Sequence, residues 1–282
     1  MSFGIPYTGS KNLLAKQICD VLPSGKRLVD LFAGGCAVTD CAIRCFAYKW
    51  DTFLINDLNR DPIDLYAKCL CGENPVSYDW VSHDDFKKKD WATRLVWSFS
   101  NNTINYLYSR KVEPLKHDIE HWVVTGTVIH DSGIFDGMEL PILSTLQERH
   151  EWWKKIGKKL IKERESSGYG RFNLKRLELE RLERLERLEF SYLSYEQYEY
   201  RDGDIVYCDI PYLDTRCTHY KKTDFNHSKF WEWTKSRPYD VYVSERIIPN
   251  DVNAEIVMEC KLANRCCRAD REKQNVEYIV RI

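Results

Sequence analysis

Four consecutive residues in the last third of the chain carry the most specific chemistry: Asp209-Ile210-Pro211-Tyr212. They follow an apolar run, Ile205 to Asp209 (IVYCD), of the kind that forms a buried strand. A carboxylate at 209 and the carbonyl of residue 210 can both accept hydrogen bonds from one amino group. That arrangement would aim the nitrogen lone pair at an electrophile. Pro211 fixes its φ and stiffens the turn. Tyr212 offers a flat face on which a base could stack, a contact of about 1–3 kcal/mol. A strand-end turn with a buried tyrosine would produce the same four residue types.

Two further segments look suited to hold a ligand. Asp30-Leu31-Phe32-Ala33-Gly34-Gly35 ends the run KRLVDLF, which reads as a buried strand. Glycines at such a point let a ligand approach the backbone closely, and ligands bind beyond the carboxyl ends of parallel strands. The spacing is not GxGxxG, and no Gly-Lys-Ser/Thr follows, which argues against P-loop nucleotide hydrolysis. Alone, the segment is also compatible with a tight strand–helix turn. Asp57 ends the next strand, TFLIND. An acidic residue there can accept hydrogen bonds from a ribose diol, although Asn-Asp pairs also cap turns. Glycine turn and Asp57 together favour a ligand bearing adenosine.

The elements that must position these residues follow from periodicity. Residues 11–22 predict a helix with Leu14, Ile18, Val21 and Leu22 on one face. Strand 26–32, helix 37–48 and strand 52–57 then make a βαβ unit, so the fold class is α/β with a parallel, doubly wound sheet. Strands return at 205–209, 241–244, 254–260 and 276–282. Between them the character changes. Lys87, Lys88 and Lys89 open the middle region, and Ser144 with Gln147 reads as the capping box of a helix continuing through Trp153, Ile156 and Leu160. Trp152 and Trp153 read as core.

From Lys154 to Arg176 there are nine positive residues against two negative. Lys154, Lys155, Lys158, Lys159, Arg171 and Lys175 are the candidates for phosphate contacts, with Lys87 to Lys89 as helpers; a solvated helix face is the alternative. Asn101, Asn102 and Arg110 are weaker candidates for reading base edges, and Arg265, Arg268, Arg271 and Lys273 read as a basic surface loop. Residues 177–189 repeat Leu-Glu-Arg. A period of three drifts about 60° per repeat on a helix, so the segment reads as a charged helix with a poorly focused stripe, a spacer that merges into a strand near Phe190. The expected organisation is a catalytic domain of residues 1–85 and 190–282, interrupted by a recognition region at 86–189.

Composition sets the bounds. A chain of 282 residues with 43% hydrophobic content can bury a sizeable core. Net charge is −1, so a polyanionic partner would have to be held by local patches. No run of about 18 apolar residues predicts a membrane span. The first residues lack a secretory pattern, which predicts a cytoplasmic protein. Eleven cysteines are scattered without paired CxxC elements at zinc-ribbon spacing, which predicts reduced, mostly buried thiols.

The ordered set of motifs resembles the Dam-like group of DNA adenine-N6 methyltransferases. Pro6-Tyr7-Thr8-Gly9-Ser10-Lys11 is similar to that group's N-terminal motif, DLFAGG to its cofactor loop and Asn56-Asp57 to its acidic strand end. Asp209-Ile210-Pro211-Tyr212 is similar to its Asp-Pro-Pro-Tyr tetrapeptide, and Phe225-Asn226-His227 and Val243-Ser244-Glu245 to segments downstream. The likeness covers roughly residues 5–66 and 190–282, with Trp97-Ser98-Phe99 and Asn101-Asn102 as its traces in the insertion.

The resemblance implies a Rossmann-like methyltransferase sheet with a largely helical inserted target-recognition domain. It also implies S-adenosylmethionine as methyl donor, double-stranded DNA as substrate and no metal. Tyr7, Lys11, Asp30, Phe32, Ala33, Gly34, Gly35, Asp57 and Asp209 would surround the donor. Asp209 and the carbonyl of Ile210 would hold the adenine amine, and Tyr212 would stack on the extruded base. Two departures stand out: Ile210 replaces the first proline, and Ser194-Tyr195 stands where relatives often carry an aspartate. Methyl transfer to RNA or to a protein glutamine amide, and a catalytically inactive relative, are the alternatives.

Overall fold

The structure is a computed structural model that describes residues 2–73, 79–157, 185–212, 225–262 and 275–282. Strand β1 (Gly25–Asp30) is buried along its last four residues, as a strand covered on both faces must be. It pairs in parallel with β2 (Trp50–Asn56) on one side and β4 (Asp204–Asp209) on the other. Strand β3 (Leu188–Ser191) extends the sheet beyond β2, and β5 (Val241–Glu245) extends it beyond β4. The chain therefore winds outward from β1 in one direction, then returns and winds in the other. That reversal lies between β1 and β4 and opens a crevice at their carboxyl ends. Strand β7 (Asn275–Arg281) runs antiparallel between β5 and β6 (Glu255–Leu262), giving the order β3-β2-β1-β4-β5-β7-β6 among the described residues.

Alternation along the central strands builds two cores. Leu28 and Tyr207 pack on one face with Ile18 and Leu22 of helix α1 (Ala15–Val21) and its C-cap, and with Val38 and Cys41 of α2 (Ala37–Cys45). Val29, Val206 and Cys208 pack on the other face, with Phe230 and Trp233 of the C-terminal helix His227–Lys235. Helix α1 is shorter than the predicted 11–22, because residues 11–14 form turns and Leu14 provides no side-chain cap. Helix α3 (Arg60–Leu70) starts at Asn59, whose side chain accepts the Asp61 N–H. The described cysteines are all free thiols, eight in number.

The chain divides into two compact units, residues 1–75 with 177–282 and residues 76–176. Helix α4 (His83–Phe86) belongs to the second unit rather than to the first, since Val81 and Phe86 pack with Trp97 and Tyr106. That unit also holds α5 (Trp91–Val96), α6 (Glu113–Thr125) and α7 (Leu146–Trp152). Trp122, Phe135 and Trp153 form its second core, as expected of Trp153, with Trp152 packed against it. Arg149 is buried and donates to the carbonyls of Val123 and Val124, closing the end of α6.

The capping box of α7 is Thr145 with Glu148, one residue later than the predicted Ser144 with Gln147. Both pairs satisfy the Ser/Thr-x-x-Glu/Gln pattern, and the ionised Glu148 makes the stronger acceptor for a backbone N–H. After Trp152 the chain enters a π-helical turn, Trp153–Gly157. Lys158, Lys159, Arg171, Lys175, most of the Leu-Glu-Arg segment and the 265–273 basic cluster lie outside the described residues. The C-terminal helix His227–Lys235 is α8 in chain order.

Candidate active site

The carboxyl ends of β1, β2 and β3 are locked together by side chains that the sequence places there. Asn56 donates to the carbonyls of Leu31 and Leu193, at 2.9 and 3.0 Å, and accepts from Ser191 Oγ and the Leu193 N–H. Asp57 accepts the Gly34 N–H at 2.8 Å through Oδ2 and the Asn59 N–H at 2.8 Å through Oδ1. The glycine turn is thus tied to the acidic strand end. Each carboxylate oxygen can accept a further bond, so a diol could still be taken there.

The N-terminal segment folds over this turn. Ile5 N–H donates to the Gly35 carbonyl, and Gly4 N–H donates to Asp40 Oδ2 at 2.8 Å. The Tyr7 ring lies 3.4 Å from where a side chain on Gly34 would begin. Gly4 has φ +62°, and a Cβ there would lie 2.1 Å from the Gly35 carbonyl oxygen. Gly4→Ala therefore meets both left-handed strain and a backbone clash. A loss of at least about 1–3 kcal/mol is expected in urea unfolding. Gly9→Ala, with positive φ but open space around it, is expected to cost less. Equal unfolding midpoints for the two variants would refute the close-approach explanation.

Lys11 reaches the end of β4. Its ammonium lies 2.6 Å from Asp209 Oδ1 and 3.6 Å from Glu277 Oε1, with the three side chains 9%, 18% and 3% exposed. It also lies 4.6 Å from the Tyr212 ring centroid, and the Arg246 guanidinium lies 4.8 Å from the same centroid. His227 Nε2 donates to the Pro211 carbonyl at 2.6 Å, fixing the turn after Ile210. Ile210 itself is buried in the apolar layer behind the site. Phe32 packs against Tyr195, Phe225 and Phe230 at centroid distances of 5.7–5.9 Å, forming an aromatic wall.

The site is acidic. Burial pushes the Asp209 carboxyl up to about 6; Lys11 opposes this, and Glu277 and Asp57 reinforce it. Burial pushes Asp30 up to about 7 against the hydrogen bond from Thr39, with Asp209 and Asp57 adding to the rise. Asp57 is raised by burial as well, and the Tyr212 hydroxyl is pushed up by burial and by Asp209 and Glu277.

Tyr7, Lys11, the 30–35 turn, Asp57 and the 209–212 tetrapeptide all lie in the first unit at this one end of the sheet. Tyr195 joins the aromatic wall. Lys154 and Lys155 are exposed in the other unit. Asn101 donates to the Leu95 carbonyl, and the Asn102 amide oxygen accepts the N–H groups of Ile104 and Asn105. Arg110 pairs with Asp84. Glu277 and Arg246 were not anticipated. A lone glutamate inside the apolar run Val276-Glu277-Tyr278-Ile279-Val280 is the one signal that pointed to Glu277.

A cationic methyl donor bearing adenosine fits these residues. Asp30 Oδ1 is buried without a hydrogen-bond partner beside the glycine turn, and the surrounding carboxylates favour positive charge. Phe32 and its neighbours offer an apolar surface to a purine.

The sheet order is that of a Rossmann-like methyltransferase fold. Residues 7–123 match the family model of the D12 class N6 adenine-specific DNA methyltransferase. The retron Ec67 DNA adenine methylase of Escherichia coli is 37% identical over 68 residues, which are 24% of this chain and 22% of that protein. The resemblance read from the motif order is borne out over the matched stretch, which holds Tyr7, Lys11, the glycine turn and Asp57 and ends before the tetrapeptide. The family implies a methyl donor and a DNA substrate.

Proposed function

We propose that the protein transfers a methyl group from S-adenosylmethionine to N6 of adenine in double-stranded DNA, on a base extruded from the helix. The observation that carries this reading is the Asp209–Lys11 pair, against the Tyr212 ring at the carboxyl end of β4, the strand beside β1 and its glycine turn. S-adenosylmethionine supplies a methyl group made electrophilic by positive sulfur. Tyr7, Lys11, Phe32, Ala33, Gly34, Gly35 and Asp57 hold it, with Asp30 beneath the turn. Lys11 takes Asp209 Oδ1, which leaves Oδ2 to accept from the adenine amine alongside the Ile210 carbonyl. His227 fixes the following peptide through the Pro211 carbonyl. Isoleucine at 210 serves as well as proline in this role, because the group used is the carbonyl. The Asp209 carboxylate stabilises positive charge growing on the nitrogen, a preorganised electrostatic effect. Tyr212 gives the base a stacking face. Exposed Lys154 and Lys155, with the basic residues that follow them, supply phosphate contacts and salt dependence.

Labelled S-adenosylmethionine with unmethylated genomic DNA, digested to nucleosides, tests the reaction. N6-methyladenine supports it. Label appearing only in RNA or in protein overturns the DNA assignment.

The pH dependence follows from Asp209. The carboxylate is the active form, and its group titrates at about 6. Methyl transfer is expected to reach a plateau above pH 7 and to fall tenfold per pH unit well below 6. Lys11 lowers the Asp209 value, so Lys11→Met is expected to move the acid limb to higher pH. An acid limb unmoved by that substitution would refute the coupling.

A further inference from the structure

The inserted unit contains a group of ligating side chains unrelated to the site above. His117 and Asp118 are adjacent on α6, and Asp131 stands in the loop that follows it. One ligating atom from each lies within 4.8 Å of the others. Neighbouring donors around a single first-row cation, bound at about 2.0–2.2 Å, lie about 3–3.6 Å apart. Movements of roughly an ångström at the ligating atoms bring the three onto one ion.

Asp118 supplies an independent observation. Its residue is fully buried. Oδ2 accepts both the N–H and the hydroxyl of Ser132, at 2.9 and 2.5 Å. Oδ1 is buried with no hydrogen-bond partner. A buried carboxylate oxygen left in this way is costly unless a cation or donor meets it. The His117 ring packs on Trp80 at 4.9 Å between centroids, which restrains its orientation.

We propose that His117, Asp118 and Asp131 form a site for one divalent first-row metal ion. The ion takes an imidazole nitrogen, Asp118 Oδ1 and an Asp131 carboxylate oxygen, with water completing its shell. One nitrogen and two oxygens make a donor set of intermediate hardness, suited to manganese or zinc rather than to calcium. The ion ties the Asp131–Ser132 turn to α6, adding a cross-link where Ser132 already bonds Asp118. It is a structural site within the insertion and stands independently of the methyl-transfer reading.

The test uses the full chain, stripped with a chelator and titrated with Mn2+, with free ion read by electron paramagnetic resonance and thermal unfolding followed in parallel. Mn2+ is the probe because the eleven thiols favour softer ions. Wild type is expected to bind one Mn2+ per chain and to gain thermal stability from it. Asp131→Asn, at an exposed position, and His117→Gln are expected to bind at least tenfold more weakly and to lose that gain. Asp131→Asn decides the matter if His117→Gln fails to fold. Absence of saturable one-to-one binding, or equal affinity in Asp131→Asn, overturns the site.

Discussion

Asp209→Ala is expected to lower methyl transfer by at least about 10²–10³-fold, the usual effect of removing one preorganised electrostatic partner from a reacting group. Stability is expected to move the other way. Burial raises the Asp209 carboxyl from 3.8 to about 6, so the folded state holds its proton more tightly than the unfolded chain does. Above pH 6 the ionised group therefore opposes folding, by an amount on the order of 2–3 kcal/mol, and the opposition is relieved as pH falls through 6 toward 4. Removing the carboxylate at neutral pH takes that term away, and Glu277 remains near Lys11 at 3.6 Å. The variant should thus unfold at an equal or higher urea concentration while losing activity. Single-turnover transfer at saturating S-adenosylmethionine, with equilibrium binding of the donor measured beside it, separates loss of transfer from loss of donor binding. More than a tenth of wild-type activity remaining, or a collapse of stability that accounts for the loss, would remove Asp209 from the reaction.

The parts of this fold that were legible in the sequence are those specified locally. The run KRLVDLF, the glycines at 34 and 35 and the strand TFLIND determine a strand, a turn and a parallel neighbour from adjacent residues alone. The tetrapeptide was legible for the same reason, since Asp209 to Tyr212 follow their strand without a gap. What joins those pieces was not. Lys11 finds Asp209 across about two hundred residues of sequence, and Glu277 enters from a strand that runs antiparallel to the rest of its neighbours. No spacing rule encodes such a meeting. The helix start at Thr145 shows a different limit. Overlapping Ser144/Gln147 and Thr145/Glu148 patterns compete, and the tertiary position of Arg149, closing α6, goes with the later frame. Val81 and Phe86 find aromatic partners downstream, Trp97 and Tyr106, a meeting that composition near residue 85 does not reveal.

The largest stability effect is expected away from the reacting groups, where Arg27 of β1 faces Asp204 of β4. The two are register neighbours, and Arg27 makes a two-pronged pair with Asp204 at 2.8 and 2.7 Å, with Glu189 of β3 taking a third bond. Both side chains are nearly inaccessible, at 5% and 2% exposure. Asp204 also accepts from the Tyr198 hydroxyl and the Arg201 N–H. Burial alone would raise its carboxyl, yet these donors hold it below the usual carboxylate range. Its contribution is accordingly present above about pH 4 and is lost as pH falls through the depressed folded value. Asp204→Ala strands a buried guanidinium and two further donors, and should cost about 3–5 kcal/mol in urea unfolding at pH 7. The double variant Arg27→Met with Asp204→Leu removes both charges and should recover much of that loss, because well-packed apolar replacements of a buried pair are often near neutral. Arg27 and Asp204 lie toward the amino ends of their strands, away from Asp30 and Asp209. Methyl transfer per folded molecule should therefore be unchanged in the double variant. A double variant no more stable than Asp204→Ala would show that the pair holds β1 against β4 by geometry that apolar packing cannot replace. Recovery would show that the pair's main role is to satisfy charge at the point where the sheet reverses its winding.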